Sequence, residues 1–511
     1  MLLLAGSIET HLTTKGAFQE LDAVSLLTPH TKVAVRPASI DLIPAHIETA
    51  YRTSYFGKPG PTFVDLPGDL LEGSLSTSVF SRLVTLPPPP IPAAHPEAIH
   101  RIATLIQTST SPLVIIGKGA AYAHAESAIR SLINSTHLPF LPTPMGKGVV
   151  ADSHPCNTSS ARSTALLRAD VVLVLGARLN WILHYGESPK WNPSARIIQV
   201  DISAEELGRN GGDPSLGVVG DVNLVVNQLI QELGPWQYDQ NTDFVRQLGQ
   251  AKQKNEAKAL LAALDSKIPM TYHHAFDVIK RTLHSLSPPE GGQLVYVSEG
   301  SNTMDISRSI FPLEQPRLRL DAGTYATMGL GLAYAISAHL AYNTLHEGRG
   351  GSGRKKIIAF EGDSAFGFSA MEVETMARYG MDVLIFVINN GGIYHGDTDD
   401  LADWRRRQRK TIQGQPGGLR STSLGREVRY EKLAEACGGL GFFVRTPKEL
   451  ETATREAFVA DVPCVVNVII EAGKPPETVM HLPFTRSSLI TPVQMFSWQA
   501  SPKTSRKRAM L

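Results

Sequence analysis

Cysteine is scarce: the 511 residues contain three, Cys156, Cys437 and Cys464, far apart and without a Cys-x-x-Cys pair. That spacing argues against a disulfide framework and a structural zinc cluster, and makes a reducing compartment the default. Net charge is scarce too. With 49 basic against 48 acidic side chains the balance is +1, so no global field draws the chain to nucleic acid or an anionic membrane, and a phosphate-bearing ligand has to be held locally. No apolar run approaches the roughly 20 residues of a membrane helix, and residues 1–5 are too short and uncharged for a secretory signal. The rest is ordinary globular composition, 42% hydrophobic and 19% charged. A prior of roughly 150 residues per domain divides the chain into about three.

Apolar runs alternating with helical stretches predict an α/β fold of parallel sheets flanked by helices. Residues 2–5 (LLLA) read as a buried strand, 39–55 as a helix with Ile40, Ile43, Ile47 and Ala50 near the 3.6-residue period, and 62–67 (TFVDLP) as the extended end of that unit. The prolines of 87–92 form a stiff spacer, closing a first segment at 1–86. In 95–235 the strands at 113–116, 171–175 and 197–200 predict a central, doubly wound parallel sheet. Residues 237–264 are polar, a connector with helix in its second half, and a third unit at 268–480 carries strands at 294–297, 357–360 and 383–388. Residues 346–356 (HEGRGGSGRKK) have the composition of an exposed loop, and 490–511 that of a disordered basic tail.

The strongest chemical signal runs from 357 to 396. A strand ends at Glu361, and GDSAFG (362–367) follows as a small-residue loop that lets backbone approach a ligand. Ser369 and Glu372 have capping-box spacing for the next helix, Val373, Met376 and Ala377 supply its inward stripe, and Gly380 stops it. The strand at 383–388 then delivers Asn389-Asn390-Gly391-Gly392 to the same sheet edge, because parallel strands present their carboxyl ends together. Asp363 and Asn390, 27 positions apart, thereby become neighbours. With the Gly392 carbonyl they make an oxygen set suited to Mg²⁺, whose other positions would go to a diphosphate.

The segments GDSAFGFSAMEVETMARYG and VLIFVINNGGIYHGD resemble the thiamine-diphosphate-binding signature, and more narrowly its 2-hydroxyacyl-CoA lyase and oxalyl-CoA decarboxylase branch. GAFQELD (16–22), GKPGPTFVDLP (57–67), VSEGSNTMDISRSIF (297–311) and GTYATMGLGLAYAI (323–336) extend the likeness to about residue 490. The resemblance implies a three-domain architecture with thiamine diphosphate and Mg²⁺ as cofactors. It makes Asp363, Asn390 and Gly392 the metal ligands, and sets Gly362, Ser364, Ala365, Tyr394 and Tyr325 around the cofactor. Met328 becomes the bulky residue that bends the cofactor, against its reading as a core methionine. Phe18 and Gln19 match the pair that approaches the reacting carbon, with Tyr394 nearby. Oxalyl-CoA decarboxylases resemble Tyr-Glu at that pair and the lyases Phe-Gln, which favours the lyase. The implied reaction cleaves a 2-hydroxyacyl-CoA to formyl-CoA and an aldehyde one carbon shorter. An oxalyl-CoA decarboxylase or acetolactate-synthase-like carboligase is the alternative, and a non-catalytic cofactor-binding protein the alternative of another class.

Other features are weaker. Arg308 matches a position that holds CoA phosphate in the decarboxylases; an exposed helix arginine competes. Gly117-Lys118-Gly119 and Asp201 suggest a dinucleotide loop, with a structural reading ahead of it. His395 is a candidate for proton transfer or a rim histidine, and His273, His274, Asp399 and Asp400 lack ligand spacing. The resemblance also implies a glutamate upstream of GAFQE that activates the cofactor. Only Glu9 precedes it, in another context, so an incomplete first domain and a weak or absent activity are expected. A homodimer or homotetramer, with the cofactor between the first domain of one subunit and the third of another, is implied as well. Ser487-Ser488-Leu489, and more distantly Ala509-Met510-Leu511 at the chain end, resemble a peroxisomal signal, with a cytoplasmic location otherwise.

Overall fold

The protein is described from a computed structural model, covering residues 1–76, 85–321, 323, 325–344 and 353–473. Its short apolar runs become strands of three parallel sheets. Most are buried on both faces, as strands between two helical layers must be. The first sheet holds β1 (Leu2–Ser7), β2 (Val33–Val35) and β3 (Thr62–Pro67), in the order β1-β3-β2. The second holds β4 (Pro112–Ile116), β5 (Phe140–Pro142), β6 (Val171–Leu175), β7 (Arg196–Asp201) and β8 (Gly217–Val219), in the order β5-β4-β6-β7-β8. The third holds β9 (Leu294–Glu299), β10 (Arg319–Asp321), β11 (Lys356–Gly362), β12 (Leu384–Asn389), β13 (Leu440–Val444) and β14 (Cys464–Ile469), in the order β10-β9-β11-β12-β14-β13. Among the described residues no helix is long and apolar enough to cross a membrane.

The first sheet has a thin core of Ala50, Val64 and Leu66. Leu3 and Leu4 of β1 are exposed, as are Leu21 and Leu26. Apolar area left in water forgoes roughly 25 cal/mol per Å², so this face gains by being covered.

The predicted connector contains one long helix, Asp243–Ala263, whose N-cap Thr242 accepts from the Val245 amide. In the central sheet Gly117 and Gly119 serve packing: a Cβ on Gly117 would stand 2.2 Å from the Gly176 carbonyl oxygen, and one on Gly119 2.8 Å from the Gly176 Cα. Residues 311–318 tie the third sheet to the second. Asp152 and Leu313 exchange two hydrogen bonds of 2.9 Å, and Arg317 pairs with Glu126 at 2.8 Å.

One expected boundary is corrected. The helix after β11 begins at Asp363 itself (Asp363–Ser369), and a second one follows at Glu372–Arg378. Ser369 therefore ends a helix instead of capping one, and its buried hydroxyl has no partner. The strand feeds straight into the helix, so Gly362 ends β11 and the remaining residues of GDSAFG are helical and not an extended loop. The loop expected at 346–356 falls largely outside the described residues, as does the tail at 490–511.

The third sheet has an aromatic centre. Phe360, fully buried on β11, has its ring centroid 4.5 Å from Phe311, 5.4 Å from Phe276 and 5.7 Å from Phe386. Truncating it leaves a cavity among rings that cannot all collapse, so Phe360→Ala is expected to cost about 3–5 kcal/mol. The measurement is a lower urea midpoint for loss of near-ultraviolet circular dichroism.

Candidate active site

β11 lies between β9 and β12, in registers that pair Glu361 with Glu299 and Gly362 with Ile388. The carboxyl ends of all three strands therefore open at one place, where ligands bind in open parallel sheets. Asp363, the first residue past β11, is 3% exposed. Its Oδ1 accepts from the Ser364 amide at 2.8 Å, and its Oδ2 from the Gly391 and Gly392 amides at 2.8 and 3.2 Å. An acid from one crossover thus ties down the turn that ends the next strand.

Asn390 is buried beside it. Its Oδ1 accepts from the Gly392 amide at 3.1 Å and its Nδ2 donates to the Tyr394 carbonyl at 3.1 Å. The same carbonyl receives Nδ2 of Asn302 at 2.7 Å. Gly391 and Tyr394 both sit in the left-handed region, at φ 77° and 67°, so the turn is sharp and leaves the Tyr394 ring half-exposed. No ion pair involves Asp363 among the described residues, and burial raises its carboxyl to about 6 against the pull of the amides. No backbone hydrogen bond among them uses the Gly392 carbonyl. Three or more His, Cys, Asp or Glu never cluster there as a metal cage. One carboxylate, one amide oxygen and one free carbonyl are the protein share a hard cation takes when a phosphate supplies the rest.

The remaining cofactor candidates converge on this edge. Ala365 is buried, and a Cβ on Gly300 would lie 3.4 Å from its own Cβ. The loop with Tyr325 and Met328 is exposed, and Gly329 within it approaches Phe368 of the helix after β11. Its anchor is Glu299, whose carboxylate accepts from the Gly329 and Gly331 amides.

Two predicted residues stand apart. Phe18 is 88% exposed and Gln19 takes φ 61°. Their turn is held locally by Glu20, which accepts from the amides of Thr14, Gly16 and Ala17. Among the described residues no hydrogen bond joins Phe18 or Gln19 to the loops around Asp363. Arg308 is turned inward, its Nε on Asp321 at 2.9 Å and its Nη1 on Asp305 at 2.7 Å, so its placement lends no support to a CoA-phosphate role. His395 contacts Arg420, His274 donates its Nδ1–H to the Ala263 carbonyl, Asp399 accepts from the Ala472 amide, and Asp400 caps the helix Leu401–Ile412.

Several residues of this edge were not picked out by sequence. Glu361 is fully buried and neither carboxylate oxygen has a partner among the described residues. Burial, then the charge of Glu299, drives its carboxyl well above the ordinary range. Gly331 makes room for both acids: a Cβ there would stand 2.0 Å from Oε1 of Glu361 and 2.8 Å from Oε2 of Glu299. The Tyr272 and Tyr430 phenols are pushed up by burial, with the Asp363 charge adding to it. Tyr272 and Tyr430 sit in polar or charged stretches with no apolar run to mark them, and of these residues only Glu361 adjoins the motif.

Known proteins match this arrangement. Residues 99–229 correspond to the central domain of thiamine pyrophosphate enzymes, and residues 299–468 to their C-terminal TPP binding domain. The chain belongs to the thiamine pyrophosphate enzyme family, in the branch that holds 2-hydroxyacyl-CoA lyases and oxalyl-CoA decarboxylases. It is 42% identical to human 2-hydroxyacyl-CoA lyase 1 over 92% of this chain and 79% of that protein. With the lyase of Arabidopsis thaliana the identity is 38% over 92% and 80%, and with Escherichia coli K12 oxalyl-CoA decarboxylase 33% over 92% and 79%.

The buried acid of β11 has a measurable signature. The folded value of Glu361 lies above its ordinary 4.5, so between the two values the native state binds more protons than the unfolded one, and stability is lost as pH rises through that interval. Glu361→Gln removes the effect. Its urea midpoint is expected to exceed the wild-type midpoint by a margin that widens from about pH 5 to about pH 8; a constant margin counts against the buried, protonated acid.

Proposed function

We propose that the chain is a 2-hydroxyacyl-CoA lyase, dependent on thiamine diphosphate and Mg²⁺, that releases formyl-CoA and an aldehyde one carbon shorter. The observation that carries this reading is the buried Asp363 carboxylate without a counter-cation, next to the Asn390 amide oxygen and the unused Gly392 carbonyl. These three groups fit Mg²⁺, with Ser364, Ala365 and Tyr394 beside them for the diphosphate. Bound thiamine diphosphate supplies the electron sink for breaking the carbon–carbon bond. The chain's own residues hold and orient it. Glu299 fixes the loop that carries Met328 to the cofactor, Asn302 and Asn390 hold the Tyr394 carbonyl, and Tyr272 and Tyr430 keep water from the acid.

The lyases of human and Arabidopsis thaliana support the substrate class. Phe18 and Gln19, exposed here, are assigned to the reacting carbon of a second copy, within a homodimer or homotetramer. The oxalyl-CoA decarboxylase of Escherichia coli supports a second reading, and a panel of 2-hydroxyacyl-CoA, oxalyl-CoA and pyruvate separates the two by product.

Asp363→Ala is expected to weaken thiamine diphosphate binding by at least about tenfold, read by quenching of tryptophan fluorescence, since Trp404 lines a small pocket with Asn390 and Gly391. In the wild type, affinity is expected to fall as pH drops below about 6, the value to which burial lifts Asp363, because the proton then competes with the cation. Unchanged affinity in the variant overturns the site.

Peroxisomal residence is part of the same proposal. Residues 481–489 and 509–511, which carry the resemblance to a targeting signal, lie outside the described residues. A fluorescent fusion with a free C terminus is expected to be punctate; diffuse signal rejects the assignment.

A further inference from the structure

Residues 415–424 (QPGGLRSTSL) match no motif, yet they pack against the turn that presents Asn390 and Gly392. Gly392 and Ser423 form an antiparallel bridge. The Ile393 amide donates to the Thr422 carbonyl at 2.9 Å, and the Leu424 amide to the Gly391 carbonyl at 3.0 Å. From the middle of this segment Arg420 reaches over the far side of the turn. Its Nε donates to Oδ1 of Asp397 at 2.8 Å, and its Nη2 to the carbonyls of His395 and Gly396 at 2.9 and 2.5 Å. Its Nη1 stands 2.7 and 2.8 Å from the two ring nitrogens of His395. Asp397, whose side chain is 2% exposed, is held on its other oxygen by the Ser423 hydroxyl.

We propose that Arg420 is a positioning residue for the metal-binding turn: its guanidinium clamps residues 395–397 so that the Asn390 amide and the Gly392 carbonyl keep their places. The turn needs such a clamp, because Gly391 and Tyr394 are both left-handed and no regular element continues past β12 to stiffen it. It also has little slack. A Cβ on Gly392 would lie 2.6 Å from the His395 carbonyl oxygen, and one on Gly396 2.1 Å from the Asn390 carbonyl oxygen, so a shift at 395–396 is passed directly to both proposed ligands. Only a planar fork can serve a carboxylate, two carbonyls and a ring at once; a lysine ammonium is a point charge with fewer fixed directions. A plain Arg420–Asp397 ion pair would stabilise the fold without affecting the cation, and that is the competing account.

The inference depends on the lyase reading only through its cofactor arm. Wild type, Arg420→Ala and Arg420→Lys full-length chains are titrated with Mg²⁺ at fixed thiamine diphosphate, following tryptophan fluorescence. Residues behind metal ligands typically change affinity by about 10–100-fold, and Arg420→Ala is expected to raise the half-saturating Mg²⁺ by that factor. Arg420→Lys is expected to recover only part of the loss, and free guanidinium at sub-denaturing concentration to reverse it in the alanine variant. In parallel, hydrogen exchange of the amides at 391–397 is measured on the cofactor-free chains, where Arg420→Ala is expected to lose protection and guanidinium to restore it. Unchanged Mg²⁺ dependence, or full recovery by lysine, overturns the clamp in favour of the ion pair. If the wild type shows no Mg²⁺-dependent binding, the lyase reading fails, and equal exchange in wild type and Arg420→Ala still overturns the clamp.

Discussion

A carboxylate buried among backbone amides, with no cation paired to it among the described residues, is a costly feature, and the third sheet carries one at the end of β11. Taking an ion out of water costs several kcal/mol even after relaxation. Asp363 offsets part of that by accepting from the amides of Ser364, Gly391 and Gly392, but burial still lifts its carboxyl to about 6. The acid therefore fastens two crossovers of the sheet. Asn390, Tyr394, Asn302 and the strand-like segment at 420–424 all adjust to that fastening.

The same edge holds a second strained arrangement. Glu299 and Glu361 face one another across β9 and β11, and only Glu299 is satisfied by amides, those of Gly329 and Gly331. Glu361 stays unpartnered. Polar groups buried without partners are rare because each forfeits its hydration, and they gather where function and not stability has shaped a site. The loop that carries Met328 hangs on Glu299. Its position is thus set by electrostatics beneath it more than by packing above it, Tyr325 and Met328 being exposed.

Much of the fold was legible because several of the longer strands are built on continuous apolar runs. β4, β6, β9, β11 and β12 fall where residues 113–116, 171–175, 294–297, 357–360 and 383–388 place them, each end agreeing to within two residues. Short strands such as β2, β8 and β10 carry no comparable run. The start of the helix after β11 was misread because Ser369 and Glu372 imitate a cap, whereas the chain enters the helix at Asp363 as soon as the strand ends. Asp363 and Asn390 were legible because one strand-helix-strand unit suffices to bring them together. Arg420, Glu299, Tyr272 and Tyr430 were not, since they arrive from separate segments and long-range contact leaves no local spacing to read.

The residues alone determined the α/β class, the order of the main strands along the chain and the oxygen-rich motif at the end of β11 and β12, all of which follow from local periodicity and residue type. Only the tertiary structure decided which acid is satisfied and which is left bare, that Arg308 turns inward to Asp305 and Asp321 while Arg420 turns to the turn at 395–397, and that Phe18 faces solvent. Those outcomes depend on which side chains meet after strands far apart in sequence become neighbours, and the free energy of a buried charge is set by those neighbours.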